Sequence, residues 1–448
     1  MKDKEHLEFY GKKYIWYPFT QMQKYMEENP LIIQEGEGSY LKDINGNTYI
    51  DGISSLWVNI HGHRIKEIDE AIISQVGKIA HSTLLGMSNV PAIRLAKKLV
   101  EITPKGLDRV FYSDTGAVGV EIALKIAFQY WQQRDYLEKS TFISLKNGYH
   151  GDTLGAVSVG GIDLFHEIYK PLLFPSIKVK SPYCYRCPWG RSWPECNKEC
   201  FTELEKVLKE NHKKVCAFIL EPLIQGAGGM IVFPSGYTKK ARELCTKYNI
   251  LMIADEVATG WGRTGRMFAC EHEDVLPDIM VLSKGMTGGY LPLAATLTSQ
   301  KIFDSFLGKS DENKTFYHGH TYTGNPLACA AAMANIELFD KHKTLERLQE
   351  KVVLLKAKLE PFFALPHVGD VRQRGFMVGI ELVKDKETKA PFPRKYGVGH
   401  RVILEARERG LIIRPLADII VLMPPLTISF KDLEKLLDIT YNSMKSIT

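Results

Sequence analysis

The segment Ile250–Gly260, ILMIADEVATG, is an apolar run that ends in an acid, and Ile279–Gly289, IMVLSKGMTGG, is an apolar run that reaches a lysine. Continuous apolar runs of this length favour strands that are buried on both faces, as in parallel sheets. Asp255 and Lys284 then stand at the carboxyl ends of adjacent strands, where open α/β sheets bind their ligands. The two segments therefore predict an α/β fold with a site at this sheet edge. The alternative is a structural Asp–Lys ion pair.

One amine beside one carboxylate indicates a site for pyridoxal phosphate. The amine of Lys284 can form a Schiff base with the aldehyde of this cofactor. The carboxylate of Asp255 can keep the pyridine nitrogen protonated, so that the ring withdraws electrons from a substrate carbon. Both residues are therefore predicted to be catalytic.

A turn that contains glycine offers a place for the cofactor phosphate. Arg109–Ser113 has the pattern of a strand and is followed by this turn and an amphipathic helix. Thr115, Gly116 and Ala117 lie where the first free N–H groups of the helix point outward, and small residues let an anion approach the helix dipole. Such junctions are common in α/β proteins, so the turn alone is a weak signal.

Tyr149 is a candidate for stacking on the cofactor ring. It lies in NGYHGDT at Asn147–Thr153, between small or polar neighbours and after the apolar run Thr141–Leu145. Stacking of this kind fixes the orientation of a ring and is worth about 1 kcal/mol. The alternative is a turn tyrosine whose hydroxyl is hydrogen-bonded, and this motif alone favours neither.

Composition and charge exclude several classes of protein. The chain has 448 residues, of which 45% are hydrophobic and 25% charged, and its net charge of +6 is spread thinly. Its basic residues form no tract longer than pairs, which argues against binding to nucleic acid or lipid. The N-terminus lacks the apolar core of a secretory signal, and no apolar stretch approaches the roughly 20 residues that span a bilayer. We expect a cytoplasmic protein with no membrane segment.

Four of the eight cysteines are clustered in the spacing C-x2-C-x8-C-x3-C. This spacing could surround a zinc ion, although the middle loop is shorter than in most zinc ribbons. Two His-Gly-His triplets, at His61–His63 and His318–His320, suit turns near a site better than metal ligation. We therefore predict that the chain binds no metal. The clustered cysteines are Cys184, Cys187, Cys196 and Cys200.

The order of the patterns predicts two domains. Helical and strand patterns alternate from about residue 64 to residue 330, as expected for a mainly parallel sheet wrapped by helices. Residues 31–50 read as a hairpin with a turn at Asn45-Gly46, and residues 331–448 combine helices with short strands. We expect a large domain at 64–330 and a small α+β domain that is made from residues 1–63 and 331–448.

Together these motifs resemble the class III pyridoxal-phosphate aminotransferases, over essentially the whole chain. The most specific motif is DEVATGWGRTG at Asp255–Gly265, which Lys284 follows at the family's spacing. The resemblance implies fold type I, with a seven-stranded type of sheet in the large domain, and a homodimer with active sites at its interface. Within the class, the chain is similar to the branch that aminates 8-amino-7-oxononanoate to 7,8-diaminononanoate in biotin synthesis. The segments that carry this similarity are Ile15–Met22, Leu56–His63, Ala80–Gly86, Asn147–Thr153, Glu221–Met230 and Ile413–Leu416.

The resemblance also assigns roles to single residues. Lys284 is implied as the Schiff-base lysine, Asp255 as the partner of the pyridine nitrogen and Tyr149 as the stacking ring. Thr321 resembles the threonine that reaches the phosphate across a dimer interface, and Arg414 the arginine that receives a substrate carboxylate. The implied cofactor contacts are Thr115, Gly116, Ala117, Tyr149, Asp255, Lys284 and Thr321. The implied substrate contacts are Trp57, Tyr149, Lys284, Gly319 and Arg414.

Several positions depart from the enzymes that use S-adenosyl-L-methionine as amino donor. Phe19 stands where a tyrosine is typical, Val421 where a tyrosine is common, and Leu56 where a tryptophan occurs. With His320 and Tyr322, these changes resemble the branch that uses L-lysine, so the donor stays open between the two. The alternatives to the biotin-pathway reaction are another class III transaminase, a related aminomutase and a non-enzymatic binding module.

Overall fold

The structure of the protein is a computed structural model that describes residues 2–448. The strands are β1 (Ile33–Glu37), β2 (Tyr40–Asp43), β3 (Thr48–Asp51), β4 (Arg109–Ser113), β5 (Thr141–Leu145), β6 (Ile177–Val179), β7 (Val215–Leu220), β8 (Ile224–Gln225), β9 (Ile231–Val232), β10 (Leu251–Asp255), β11 (Ile279–Leu282), β12 (Ala294–Thr298), β13 (Val368–Arg374), β14 (Met377–Leu382), β15 (Leu411–Ile412), β16 (Arg414–Leu416) and β17 (Ile419–Leu422).

The helices have the following bounds: α1 (Lys2–Tyr14), α2 (Met22–Glu27), α3 (Ser54–Trp57), α4 (Lys66–Val76), α5 (Val90–Ile102), α6 (Gly116–Gln132), α7 (Leu154–Val159), α8 (Asp163–His166), α9 (Glu199–Asn211), α10 (Tyr237–Lys247), α11 (Gln300–Asp304), α12 (Pro326–Lys341), α13 (Thr344–Leu359), α14 (Val398–Glu408) and α15 (Phe430–Ile447). None of these helices is long and apolar enough to cross a membrane.

The central sheet has seven strands in the order β4-β12-β11-β10-β7-β5-β6. Strands β6, β5, β7, β10 and β11 run parallel, whereas β12 is antiparallel to both of its neighbours. Every residue of β7, β10 and β11 is buried, as their apolar sequences require for strands covered on both faces. The predicted fold class, a mainly parallel sheet in an α/β protein, is confirmed.

The two segments that carry Asp255 and Lys284 lie side by side in this sheet, as strands β10 and β11 and the residues that follow them. In the register of β10 with β11, Asp255 is paired with Val281. The strand does not extend to Lys284 as predicted, because β11 ends at Leu282 and Lys284 begins a 3-10 turn with a left-handed φ of 44°. This turn still leaves the lysine just beyond the carboxyl edge of the sheet, close to Asp255.

The two ends of the chain are joined by backbone pairing. Strand β3, from the predicted N-terminal hairpin, is parallel to β15, so that Ile50 pairs with Leu411. A separate C-terminal sheet has the order β13-β14-β17-β16. Helix α12 packs on α4 and α5 of the central part, and it spans the predicted boundary at residue 330. The exact domain boundaries stay a prediction.

Three of the four clustered cysteines lie in the connection between β6 and α9, and Cys200 lies in the first turn of α9; the segment Cys184–Cys200 is here called the four-cysteine loop. All four thiols are free and line one cavity of about 20 Å³. Burial raises the pKa of Cys184 to about 11 and that of Cys200 to about 12, and the neighbouring thiols raise both further. Within residues 2–448, no three His, Cys, Asp or Glu side chains stand in a metal-binding arrangement. That this loop carries no metal stays a prediction.

Candidate active site

A cavity of about 680 Å³ lies at the carboxyl edge of the central sheet. Its size is that of pockets for small molecules and cofactors. Seven residues predicted from the sequence contribute to its wall: Trp57, Thr115, Gly116, Ala117, Tyr149, Asp255 and Lys284. The wall also has ionisable residues that were not predicted as site residues, among them His150 and Glu221.

Lys284 is half-buried, and it is the lysine of this cavity wall among the residues that the structure describes. Burial lowers its pKa, and the negative charges of Asp255 and Glu221 oppose that shift. Its Nζ lies 5.7 Å from the centre of the Trp57 ring. A buried amine with a lowered pKa is neutral more often at physiological pH, which makes it a better nucleophile and a better base.

The carboxylate of Asp255 is held in place from two sides. Its Oδ2 lies 2.7 Å from Nδ1 of His150, and its Oδ1 accepts a hydrogen bond of 3.1 Å from the backbone N–H of Val257. His150 is buried as well. An ionised carboxylate can only accept hydrogen bonds, so Nδ1 of His150 carries the proton in this contact. The pair fixes the orientation of the anion at the end of β10.

Glu221 lies directly after β7 and is completely buried. Burial, together with the nearby charge of Asp255, raises its pKa to about 8. Its two carboxyl oxygens accept hydrogen bonds from the backbone N–H groups of Tyr149, at 3.1 Å, and Gly226, at 2.8 Å. An acid that follows an apolar strand is the same signal that identified Asp255, so the sequence contained the information needed to find Glu221.

The junction of β4 and α6 has the shape of an anion site. Thr115 is the N-cap of α6, and its hydroxyl accepts the backbone N–H of Val118 at 3.3 Å. A side chain at Gly116 would meet Val257 at 2.7 Å, so only glycine permits this close packing. The first N–H groups of the 17-residue helix therefore face the cavity with no bulky side chain over them.

Trp57 reaches the cavity through a strained segment. Ser54, Ser55 and Trp57 have left-handed φ values of 52°, 61° and 67°, which cost roughly 1 to 3 kcal/mol each for residues other than glycine. The fully buried carboxylate of Asp51 offsets part of this strain, because one of its oxygens accepts a hydrogen bond of 2.9 Å from the backbone N–H of Ser55. The other oxygen of Asp51 lies 2.9 Å from Nε2 of His63. Strain held in this way is typical of functional segments.

Tyr149 lines the cavity next to its acidic residues. Its hydroxyl donates to Oδ2 of Asp152 at 2.8 Å, and its ring meets Phe165 edge to face at 6.5 Å. Burial and the bond to Asp152 raise the pKa of Tyr149 well above its ordinary value, so the hydroxyl stays protonated. These contacts fix the ring in one orientation.

Three predicted residues are absent from the cavity wall of the described chain: Gly319, Thr321 and Arg414. Gly319 and Thr321 are exposed on the segment that precedes α12, and Arg414 is half-buried at the start of β16. Their predicted roles at the phosphate of a partner subunit and at a substrate carboxylate therefore stay predictions.

Comparisons with known proteins agree with this geometry. The family model for class III aminotransferases matches residues 22–443. The chain belongs to the class III aminotransferases. It is 53% identical to the adenosylmethionine-8-amino-7-oxononanoate aminotransferase of Geobacter sulfurreducens, over 100% of this chain and 99% of the relative.

Solved structures of this aminotransferase class have the same fold. The crystal structure of adenosylmethionine-8-amino-7-oxononanoate aminotransferase from Methanocaldococcus jannaschii matches with a TM-score of 0.95 and 50% identity, over 99% of this chain and 100% of that chain. A PLP-bound amine transaminase from an uncultivated Pseudomonas species matches with a TM-score of 0.93 and 34% identity, over 97% of this chain and 99% of that chain.

As a class III aminotransferase, the protein uses pyridoxal phosphate, and both the predicted enzyme class and the predicted cofactor are confirmed. The cavity fits this group. It has a buried amine at Lys284, a carboxylate at Asp255 and small residues over the N-terminus of α6. The role of each of these residues remains a prediction that mutation must test.

Proposed function

We propose that this aminotransferase transfers an amino group to 8-amino-7-oxononanoate and forms 7,8-diaminononanoate in biotin biosynthesis. The proposal rests on sequence identity to relatives whose names state this activity. The relatives from Geobacter sulfurreducens and Methanocaldococcus jannaschii are at least 50% identical to this chain over its full length. The amine and omega transaminases with the same fold are only 31–34% identical, which supports the biotin-pathway reaction over theirs.

We propose that Lys284 both anchors the cofactor and moves the proton. Bound pyridoxal phosphate supplies an aldehyde that accepts the amino group and a ring that withdraws electrons from the donor carbon. Desolvation lowers the pKa of Lys284, which favours the neutral amine, and its Nζ is thus suited to take the proton from that carbon. Asp255, oriented by His150, places a fixed negative charge where the ring nitrogen must stay protonated.

We propose a homodimer in which Thr321 contacts the cofactor phosphate of the partner subunit. Thr321 is exposed, and so are large apolar side chains of the kind that subunit interfaces cover. The largest exposures among them are those of Trp16 at 88%, Ile168 at 80% and Leu85 at 77%. The predicted cytoplasmic location stays a prediction.

For the amino donor, we propose L-lysine. Val421 is buried in an apolar cluster with Trp57, Met230 and Met423, where a tyrosine would add a hydroxyl. The ring of Phe19 contacts the ring of Phe165, which in turn contacts Tyr149. The surroundings of Tyr149 on this side are therefore apolar too. These apolar groups pack against Trp57 and Tyr149 of the cavity wall, which suits the methylenes of lysine and offers few hydrogen-bond partners to an adenosyl group.

The test is an assay with 8-amino-7-oxononanoate as acceptor, in which 7,8-diaminononanoate is detected by mass spectrometry. Enzyme saturated with cofactor is given S-adenosyl-L-methionine or L-lysine, and Lys284→Ala serves as the inactive control. Product from either donor supports the proposed acceptor. Failure with both donors, together with turnover of simple amines with pyruvate, would instead identify an amine transaminase.

A further inference from the structure

A second cavity, of about 630 Å³, lies between the loop at residues 264–272, helix α13 and strand β13. The loop belongs to the DEVATGWGRTG motif and its continuation, whereas α13 and β13 come from the C-terminal part of the chain. In the described chain, the wall of this cavity shares no residue with that of the active site. Its size is within the range of small-molecule pockets.

One wall of this cavity is cationic. Arg266, Arg374 and Lys356 line it, and Glu360 is the acidic residue among its lining side chains in residues 2–448. The Nε of Arg374 is buried and has no hydrogen-bond partner within the described chain. A buried guanidinium N–H without a partner is costly, which indicates that a ligand or water completes its hydrogen bonds.

Two carboxylates, Glu271 and Glu273, lie near these cations but do not line the cavity. Burial lowers the pKa of Arg374, the charge of Glu273 opposes that shift, and the charge of Arg266 adds to it. Burial, with these two arginines, also lowers the pKa of His272 to about 4, so His272 is neutral at physiological pH. The carboxylate of Glu273 accepts the backbone N–H groups of Gly236 and Lys239, at 2.7 and 2.8 Å, which hold it outside the cavity. The cationic groups are therefore the charged groups that predominate on the cavity wall itself.

The opposite wall of the cavity is apolar and consists of Val352, Leu359, Phe363 and Val371. A ligand that satisfies both walls has an anionic end and an apolar body. Among the side chains that line the cavity, there are three cations and one carboxylate, and such a wall suits the anionic head of a phosphate monoester. Arginine forks also bind phosphate through paired hydrogen bonds.

We propose that this second cavity is a binding site for a phosphate monoester with an apolar body, separate from the cofactor site. The phosphate is bound by Arg266, Arg374 and Lys356, and the body packs on Phe363 and its apolar neighbours. The walls of this cavity come from both the loop after β10 and the C-terminal part of the chain. A bound ligand therefore contacts both parts and stabilises their packing against each other.

The experiment is isothermal titration of the enzyme saturated with pyridoxal phosphate, with phenyl phosphate as the probe. Inorganic phosphate and benzoate test the separate contributions of charge and apolar body. Arg374→Gln removes the buried guanidinium, and Arg266→Gln removes an exposed one, so the second variant stays informative if the first fails to fold. Arg394→Gln is the matched control, since Arg394 is exposed and outside the cavity wall.

We expect one site per chain, at least tenfold weaker binding in both cavity variants and unchanged binding in the control. Phenyl phosphate should also bind more tightly than inorganic phosphate or benzoate. The proposal is overturned if wild-type enzyme shows no saturable binding, or if Arg266→Gln binds as tightly as wild type. Loss of the cofactor's absorbance during the titration would assign the binding to the cofactor site and would equally overturn it.

Discussion

Replacing Glu221 with glutamine should change how the stability of the cofactor-free enzyme depends on pH. Glu221 has a pKa of about 8 in the folded chain, raised from 4.5 first by burial and then by the charge of Asp255. Between these two values the folded state holds the proton and the unfolded state does not. Unfolding therefore releases a proton, and the stability that Glu221 contributes is lost as pH rises toward 8.

The size of this effect follows from the two pKa values. Between pH 5.5 and pH 8, the linkage relation gives a loss of about 3 kcal/mol from Glu221. The glutamine side chain in Glu221→Gln does not titrate, so the variant does not lose this stability between pH 5.5 and pH 8. It also disturbs one of the bonds from Tyr149 and Gly226, at a cost of about 1 to 3 kcal/mol that does not depend on pH.

The assay is urea unfolding of both cofactor-free proteins at pH 5.5 and pH 8, at one protein concentration and ionic strength. We expect the variant to be less stable than wild type at pH 5.5 and to recover about 3 kcal/mol relative to wild type at pH 8. Parallel pH dependences in the two proteins would refute the assignment of a raised pKa to Glu221. Leu145→Ala, a buried apolar change, is the control that should lower stability equally at both pH values.

The remaining predictions concern the reaction and the cysteines. Asp255→Asn should lose several kcal/mol of transition-state stabilisation with little change in thermal stability, and a rate within a few-fold of wild type would remove Asp255 from the mechanism. Arg414→Ala should raise KM for a carboxylate substrate by the equivalent of about 1.5 to 3 kcal/mol, whereas unchanged kinetics would indicate a surface arginine. Metal analysis of enzyme purified without added zinc should find none in the four-cysteine loop, and one zinc per chain would contradict this. L-lysine should convert the cofactor to pyridoxamine phosphate at least as fast as S-adenosyl-L-methionine, and rapid conversion by the latter alone would exclude lysine as the donor.

The fold was predictable because its core strands carry a strong periodic signal. The apolar runs that end at Asp255 and near Lys284 are buried on both sides, and this alone requires a covered, mainly parallel sheet. The antiparallel strand β12 was missed, since AATLT at Ala294–Thr298 has the composition of a buried strand but no sign of its direction. Strand direction depends on how the chain returns to the sheet, which a local pattern does not contain.

The active-site residues were predictable where the residue type and its position at a strand end together indicate cofactor chemistry. Lysine and aspartate at strand ends could be identified, whereas the contact between His150 and Asp255 joins residues 105 positions apart and depends on the folded geometry. The strained backbone at Ser54 and Ser55 is not expected from serine residues, because it depends on contacts of the folded chain, such as the hydrogen bond from the Ser54 hydroxyl to the carbonyl of Met423. The cationic cavity at Arg374 likewise combines residues from distant segments.

Burial shifts the pKa values of two ionisable groups of the active site toward the neutral form. Glu221 is buried, and desolvation, with the charge of Asp255, raises its pKa to about 8, whereas desolvation lowers the pKa of Lys284. The oxygens of Asp255 lie against His150 and the backbone N–H of Val257, which fix the carboxyl group at the end of β10. The charges of Asp255 and Glu221 oppose the lowering of the pKa of Lys284. For this reason we expect that a change at Glu221 alters the charge state of Lys284, and that a change at His150 acts mainly through Asp255.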